Sequence, residues 1–203
     1  PPTPGREASF AAYRRREGGG LDSFATWAAI CERHGRSFQD WPPELQDPAS
    51  PAVADFAAAN AAKIDFHCWL QWLMEEQLAG TQQAAVRAGM ALGVMHDLPV
   101  GVSTRGADAW SLQDSYAKGV SVGCPPDPFN QQGQNWNQPP WRPDRLAATA
   151  YAPFRDTVST ILRHAGGLRV DHVIGLFRLW WIPRRMRPTQ GTYVRYDHEA
   201  MIG

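Results

Sequence analysis

The sequence is poor in the features that mark several large classes of protein. It has three cysteines, Cys31, Cys68 and Cys124, which lie far apart and form no Cys-x-x-Cys pair. An odd and scattered set of this kind indicates reduced thiols and argues against both a disulfide framework and a zinc site. There is no apolar run of about 18 residues, the length that a membrane-spanning helix needs. Residues 1–5 do not resemble a signal peptide, so we predict a cytoplasmic protein that does not act at a membrane.

An excess of charge of either sign is also absent. The 20 lysines and arginines balance the 20 aspartates and glutamates, which argues against a nucleic-acid surface and a polybasic membrane patch. The sequence contains no Gly-x-Gly-x-x-Gly, P-loop, Gly-x-Ser-x-Gly or His-Glu-x-x-His motif. Tryptophan, in contrast, is abundant, with nine among 203 residues. A neutral, tryptophan-rich globular chain suits an uncharged ligand.

Residues 1–80 are predicted to form a mostly helical region. We expect Gly18-Gly19-Gly20 to be a loop and Asp22 or Ser23 to cap a helix that Gly35 ends. Residues 36–51 contain four prolines and are predicted to be a loop. From Val53 to Leu78 the pattern is helical again. Its apolar stripe is expected to face the core and consists of Phe66, Trp69, Leu70 and Leu73.

One structural pattern occurs twice in the second part of the chain. In each copy a helix is followed by glycine, a short apolar strand and a carboxylate. The first copy runs from Thr81–Arg87 to His96-Asp97, and the second from Tyr151–Arg163 to Asp171-His172. Helices that alternate with short apolar strands indicate a parallel α/β arrangement. In a (β/α)8 barrel the strands end at the active site, so Asp97 and Asp171 are candidate functional residues, although either could also be a turn former.

About fifty residues separate the two copies, which is long for a connection in an α/β protein. Trp136 and Trp141 lie there among four amide side chains, at positions 134, 135, 137 and 138. Amides can bind sugar hydroxyls, and an indole offers apolar area to a pyranose ring. The segment is therefore either a saccharide-binding loop or a polar surface loop.

The second aspartate has an arginine two residues before it. Residues i and i+2 of a strand share a face, so Arg169 is expected to lie beside Asp171 and to keep it ionised. A retaining glycosidase needs an ionised nucleophile of this kind. A structural ion pair is the alternative. A metal site built from His96, Asp97, Asp171 and His172 is a further alternative, although no His-x-His spacing supports it.

Several motifs, in order along the chain, resemble the amylomaltase, or 4-α-glucanotransferase, family. They are His96-Asp97-Leu98-Pro99-Val100-Gly101-Val102, Ser121-Val122-Gly123-Cys124-Pro125-Pro126-Asp127, Gly133-Gln134-Asn135-Trp136, and the nucleophile strand Leu168-Arg169-Val170-Asp171-His172-Val173-Ile174-Gly175-Leu176 with its continuation Phe177-Arg178-Leu179-Trp180-Trp181-Ile182-Pro183. The resemblance implies a partial (β/α)8 barrel of the α-amylase superfamily with helical insertions. Residues 81–203 would form the central part of that catalytic barrel.

The resemblance also implies roles for individual residues. Asp171 would be the nucleophile that forms a covalent glucosyl-enzyme, with Arg169 orienting it and His172 binding sugar hydroxyls. The subsites would be lined by Asp97, Asp127, Gln134 and Trp136. The implied reaction moves α-1,4-glucan segments between maltodextrins with retention and without a metal or organic cofactor. A hydrolase of the same superfamily and a non-catalytic glucan-binding segment are the alternatives.

The sequence lacks several parts of the family pattern. The family's acid/base glutamate and a second essential aspartate lie on later strands, the first barrel strands are missing too, and no glutamate here lies at a strand end. The chain also lacks an initial methionine and stops at Ile202-Gly203. We therefore expect an internal fragment that is inactive alone and associates through its unpaired strand edges, because its partner, the remainder of the barrel, is missing.

Overall fold

The computed structural model describes residues 3–203, and the first two residues of the predicted helical region, Pro1 and Pro2, lie outside it. The chain divides into two compact units. The helical unit comprises the residues up to Thr81 together with Arg105–Ser111, and the sheet unit comprises Gln82–Thr104 with Leu112–Gly203. The protein is thus a mixed α/β protein with its strands in one unit.

The described residues of the helical unit contain five complete helices and most of a longer one, α5, whose last residues belong to the sheet unit. They are α1 (Pro4–Glu17), α2 (Gly19–His34), α3 (Pro43–Gln46), α4 (Pro51–Ala59), α5 (Ala61–Arg87) and α6 (Ala107–Ser111), with a 3-10 turn at Phe38–Asp40. Side-chain caps begin two of them. The hydroxyl of Thr3 accepts the backbone N–H of Arg6 at 3.4 Å, and that of Ser50 accepts the N–H of Val53 at 3.2 Å. Each cap satisfies a helix N–H that has no partner within the helix.

The start of α2 differs from the prediction. Gly19 and Gly20 lie inside the helix, and Asp22 lies in its first turn instead of capping it. Gly18 separates α1 from α2 with φ of 57°, a left-handed conformation that glycine adopts without strain. The predicted end of α2 at Gly35 is confirmed. Residues 36–51 are not a continuous loop, since they contain the turn at Phe38–Asp40 and α3.

The apolar stripe of α5 does not lie in the core, so that prediction is wrong. Leu73 is half-buried, while Phe66, Trp69 and Leu70 are 51%, 37% and 38% exposed. Helix α5 instead buries a second apolar face, consisting of Ile64, Cys68 and Trp72. Of these, Ile64 and Cys68 pack against Leu21, Ala25 and Ala29 of α2. Both faces have helical spacing, and the sequence pattern alone does not tell which one α2 covers.

A second core cluster in the helical unit is built around two tryptophans. The rings of Trp41 and Trp110 lie 6.0 Å apart at 65° and pack with Ile30, Leu45 and Val53. Both indoles are hydrogen-bonded: Trp41 Nε1 donates to the carbonyl of Gly35 at 2.7 Å, and Trp110 Nε1 to that of Leu45 at 3.1 Å. These tryptophans are structural.

The sheet unit contains six strands and three short helices. The strands are β1 (Met95–Leu98), β2 (Val120–Cys124), β3 (Gln134–Gln138), β4 (Gly167–Val170), β5 (Arg178–Pro183) and β6 (Thr192–Arg195). The helices are α7 (Pro143–Ala148), α8 (Ala152–Leu162) and α9 (His198–Ile202), and 3-10 turns occupy Val173–Leu176 and Pro188–Gln190.

Strands β1 and β4 form a two-stranded parallel sheet, which confirms the parallel arrangement predicted from the repeated pattern. Helix α8 packs on this pair, and the ring nitrogen Nδ1 of His96 lies 2.9 Å from the carbonyl oxygen of Ile161. Two details differ from the prediction. The stretch Thr81–Arg87 is the end of the long helix α5, and β1 begins only at Met95, so that Asp97 lies within the strand.

The other four strands form an antiparallel sheet in the order β3-β2-β5-β6. Its core contains Val122, Leu146, Leu179 and Tyr196. Residues 98–150, between the two copies of the pattern, were predicted as a long loop, but they contain α6, β2, β3 and α7. Within residues 3–203, no helix is long and apolar enough to cross a membrane.

Candidate active site

The predicted nucleophile, Asp171, lies at the carboxyl end of the parallel strand pair. Asp171 directly follows β4, and its backbone N–H donates to the carbonyl oxygen of Leu98 at 3.0 Å, which extends the pairing with β1 by one bond. The residue is exposed to solvent. A substrate could therefore approach its carboxylate.

Arg169 has a different partner from the one that its spacing predicts. Its Nε lies 2.7 Å from Oδ1 of Asp97, which is its direct neighbour across the parallel sheet. Among the ion pairs of residues 3–203, none joins Arg169 to Asp171. Lateral neighbours in a parallel sheet lie closer together than residues i and i+2 of one strand. Arg169 therefore pairs with Asp97 across the sheet and not with Asp171. Both partners of this ion pair remain exposed.

His172 follows the aspartate in a left-handed backbone conformation, with φ of 53° and ψ of 58°. Its carbonyl oxygen accepts the N–H of Gly175 at 2.7 Å, which closes the turn behind it. The side chain is half-buried. Burial holds the pKa of His172 below its usual value because it disfavours the charged imidazolium, and the neighbouring carboxylate of Asp171 only partly opposes this effect.

Trp136 of β3 lies against His172. The two ring centroids are 5.0 Å apart, and the rings are nearly perpendicular at 84°. The indole Nε1 donates to Oε1 of Gln134 at 2.8 Å. Ser121 of β2 donates to Asn135 Oδ1 at 2.9 Å. The amide-rich segment is therefore a strand that contacts His172, and not a loop.

Trp141 and Asp127 have structural contacts. Trp141 stacks on Tyr116 with centroids 4.2 Å apart. The Oδ1 atom of Asp127 accepts the backbone N–H groups of Phe129 and Asn130 at 2.8 and 2.7 Å. The carboxylate of Asp127 thereby fixes a turn whose tip carries Phe129, a fully exposed side chain.

No cluster of three or more histidine, cysteine, aspartate or glutamate side chains within residues 3–203 could hold a metal ion. His96 faces a backbone carbonyl of α8. Burial raises the pKa of the Cys31 thiol to about 11, and it also raises the pKa values of Cys68 and Cys124. Thiols of this kind stay protonated near neutral pH and are poor metal ligands.

Sequence reasoning missed two arrangements. The pairing of Asp97 with Arg169 depends on a register in which Met95 lies opposite Gly167, and the sequence of neither strand records that register. The contact between Trp136 and His172 has no local signal either, because Trp136 lies on β3 and His172 in the turn after β4, 36 positions apart in sequence.

The fold and the site define a mixed α/β protein with an Asp-His pair at the end of a parallel strand, flanked by an indole. Comparison with known proteins identifies the family within this class. The family profile described as 4-alpha-glucanotransferase matches residues 2–203. The 4-alpha-glucanotransferase of Mycobacterium tuberculosis is 60% identical over 203 residues, which are 100% of this chain and 28% of that protein. That of Haemophilus influenzae is 43% identical over 162 residues, covering 80% of this chain and 23% of its own. The chain therefore belongs to the 4-alpha-glucanotransferase family.

Solved structures agree with this assignment. The crystal structure of amylomaltase from Corynebacterium glutamicum superposes with a TM-score of 0.84 at 48% identity, covering 100% of this chain and 27% of that one. Amylomaltase from Streptococcus agalactiae, solved in complex with acarbose, shares the fold, with a TM-score of 0.88 at 18% identity over 98% of this chain and 41% of its own. The chain thus spans less than half the length of these relatives.

Proposed function

We propose that the protein carrying this chain is a 4-α-glucanotransferase that moves α-1,4-glucan segments between maltodextrins by a retaining double displacement. The observation that carries the proposal is the exposed carboxylate of Asp171 at the end of β4, next to His172, whose ring packs against Trp136. Family membership supports the proposal.

The reaction has two steps. First, the carboxylate of Asp171 attacks the anomeric carbon, the glycosidic C–O bond breaks, and the leaving oxygen takes a proton from a second carboxylic acid. Then the 4-hydroxyl of an acceptor sugar gives its proton back to that second group and displaces Asp171. Product and substrate thus share the same anomeric configuration.

The second carboxyl group is expected outside residues 1–203. Glu75 and Glu76 are held by Arg16 and Arg6 on the helical unit, and Glu199 lies on the short helix α9. None of these glutamates follows a strand of the parallel sheet. We therefore expect residues 1–203 alone to be inactive.

The proposal also covers the fold and the remaining site residues. Strands β1 and β4, with α8 packed on one face, would be neighbouring strands of a (β/α)8 barrel. Their other face, which carries the exposed Asp97 and Arg169, would line the barrel interior. There the ion pair would hold the Arg169 guanidinium near the reacting sugar. The insertion region would comprise residues 1–80 and the central barrel residues 81–203.

Substrate binding would use polar groups around this edge. Asp97, Gln134 and Trp136 would contact sugar rings, since carboxylates and amides bind hydroxyls and an indole packs on a pyranose. Asp127 would act mainly through the turn that its Oδ1 fixes, with its second oxygen available to a hydroxyl. His172 would contact a sugar hydroxyl as a neutral imidazole.

The test is the Asp171→Asn substitution in the intact protein that carries this chain. Transfer from maltotriose, measured by the glucose released and the longer dextrins formed, should fall at least about a thousandfold, because an amide cannot act as the nucleophile. Asp156→Asn, at an exposed position of α8, is the matched control and should transfer normally. Undiminished transfer by the Asp171→Asn protein would refute the proposal, and products restricted to shorter sugars would indicate hydrolysis.

A further inference from the structure

We propose that Trp136, held by Gln134, is a positioning residue that orients the imidazole of His172 and shields it from water next to Asp171. This assigns to Trp136 and Gln134 a role that acts through another side chain, beyond direct contact with a sugar. The consequence for the reacting sugar rests on the proposed function, whereas the contact itself does not.

The ring contact is the first observation. With centroids 5.0 Å apart and an angle of 84°, the indole and imidazole form an edge-to-face pair of the kind that aromatic rings prefer. His172 has no hydrogen bond from its ring within residues 3–203 that could fix the ring otherwise. The contact with Trp136 can therefore orient the side chain of His172.

The indole is itself held in place. Its Nε1 donates to Gln134 at 2.8 Å, two positions earlier on the same strand. Trp136 also packs against the core cluster of the antiparallel sheet. On the next strand, Ser121 bonds to Asn135 and fixes the middle of β3. A support anchored to a strand restricts the imidazole more closely than a mobile loop could.

The surroundings of His172 decide its charge. Strand β3 contributes no ionisable side chain, and the turn at Val173–Leu176 is apolar. Elements packed on that turn carry three ionisable or charged side chains, namely Arg178 on β5 and His198 and Glu199 on α9. Asp171 is the group that favours the imidazolium, and burial, to which the indole contributes, outweighs it. Removing the indole should therefore let His172 take up a proton more easily.

A neutral imidazole serves the proposed reaction in a definite way. It presents one N–H donor and one acceptor, so it can bind a sugar hydroxyl in either direction. An imidazolium next to Asp171 would instead pair with the carboxylate and weaken it as a nucleophile. The indole would thereby keep the nucleophile free in the pH range just below neutrality.

The experiment is an NMR titration of the histidine ring signals in the intact protein. The signal of His172 is identified by its loss in His172→Gln. In the parent protein His172 should titrate below the ordinary imidazole value of about 6.5. Trp136→Ala should raise its pKa towards that value, whereas Trp136→Phe, which keeps an aromatic ring, should leave most of the effect in place. Asp171→Asn should lower the pKa further.

Two outcomes would overturn the inference. One is a Trp136→Ala protein with native circular dichroism in which His172 titrates as in the parent. If Trp136→Ala does not fold, Gln134→Leu takes its place, since it removes only the acceptor of the indole N–H. An unchanged His172 titration in Gln134→Leu would then be the overturning result. Because these readouts need no activity, they are independent of whether Asp171→Asn still transfers sugar.

Discussion

At the level of single residues, His172 links pH to the stability of the site. Its pKa is lower in the folded protein than in the unfolded chain because it is half-buried. The unfolded chain therefore binds more protons between the two pKa values, and the stability of the folded protein rises as pH rises through that range. The contribution of the neutral imidazole to stability is complete above about pH 6.5. It is lost as pH falls through the lower pKa that His172 has in the folded protein.

This predicts a pH-dependent difference between the parent protein and His172→Gln. Between about pH 7.5 and about pH 5.5 the parent should lose more free energy of unfolding than the variant, because glutamine does not titrate. Urea unfolding at the two pH values measures the difference. Equal losses in both proteins would contradict the lowered pKa of His172.

Gly123 of β2 lies close to the backbone of β3 and to the core. A Cβ atom there would overlap the carbonyl oxygen of Gln134 and the side chain of Ile182. We expect Gly123→Ala to lower stability by about 1–3 kcal/mol, because backbone and core would have to shift. Gly167→Ala is the control, since its Cβ would first meet the Met95 side chain at 3.4 Å, an ordinary contact. Thermal melting of both variants tests this, and equal midpoints would refute it.

The sequence predicted where the site residues lie along the strands better than it predicted which side chains they contact. That Asp171 directly follows a strand could be deduced from the glycines before it and the apolar residues of β4. The partner of Arg169 could not be deduced in this way. It depends on which residue of β1 lies opposite Arg169, and this register is a property of two segments that are distant in sequence. The ring contact of His172 was hidden for the same reason.

At the level of elements, Ser50 is an example of a cap with a measurable effect. Its hydroxyl accepts the N–H of Val53, a buried residue in the first turn of α4. Ser50→Ala should destabilise the protein by about 1 kcal/mol, the usual effect of losing such a cap. Ser9→Ala, at an exposed position inside α1, should be nearly neutral. Similar unfolding midpoints for the two variants would show that the cap contributes nothing.

Helices were easier to locate than strands. Most of α2 and α8 followed from apolar spacing and from the glycines that end them, whereas β3 has five polar or amphipathic side chains, Gln-Asn-Trp-Asn-Gln, and no alternation. Its strand conformation comes from pairing with β2. Short strands of this kind take their structure from tertiary contacts more than from intrinsic preference.

At the level of the whole molecule, the exposed apolar residues of α5 continue beyond Phe66, Trp69 and Leu70 to Met74 and Leu78. Phe66, Trp69, Leu70, Met74 and Leu78 are all at least 37% exposed. An exposed patch of this kind marks an interaction surface or an aggregation site. The combined substitution of Phe66, Trp69 and Met74 by Gln should therefore reduce association of the 203-residue chain in light scattering.

The matched control is the pair Ala54→Gln and Ala58→Gln, at exposed positions of α4 outside the stripe. This pair should leave the association unchanged, because it removes little apolar surface. If both sets of substitutions changed the association equally, general polarity and not the stripe would be its cause.

The whole-molecule architecture was only partly visible in the sequence. The parallel pairing of β1 and β4 followed from the repeated pattern, but the antiparallel sheet did not. Strand β2 pairs with β5, whose first residue lies 54 positions after the end of β2. No local pattern records a contact of that separation, and closing so long a loop is favoured only by the tertiary packing that it completes.

The way in which this antiparallel sheet is assembled bears on protein synthesis. Strands β2 and β3 leave the ribosome before β4, and β5 and β6 leave after it, yet all four belong to one sheet around the core of Val122 and Leu179. A nascent chain that stopped short of Arg178 would already carry Asp171 but would have no β5 to pair with β2. Translation would thus have to pass Pro183 before β5 could pair along its whole length with β2 and complete the sheet that carries Trp136.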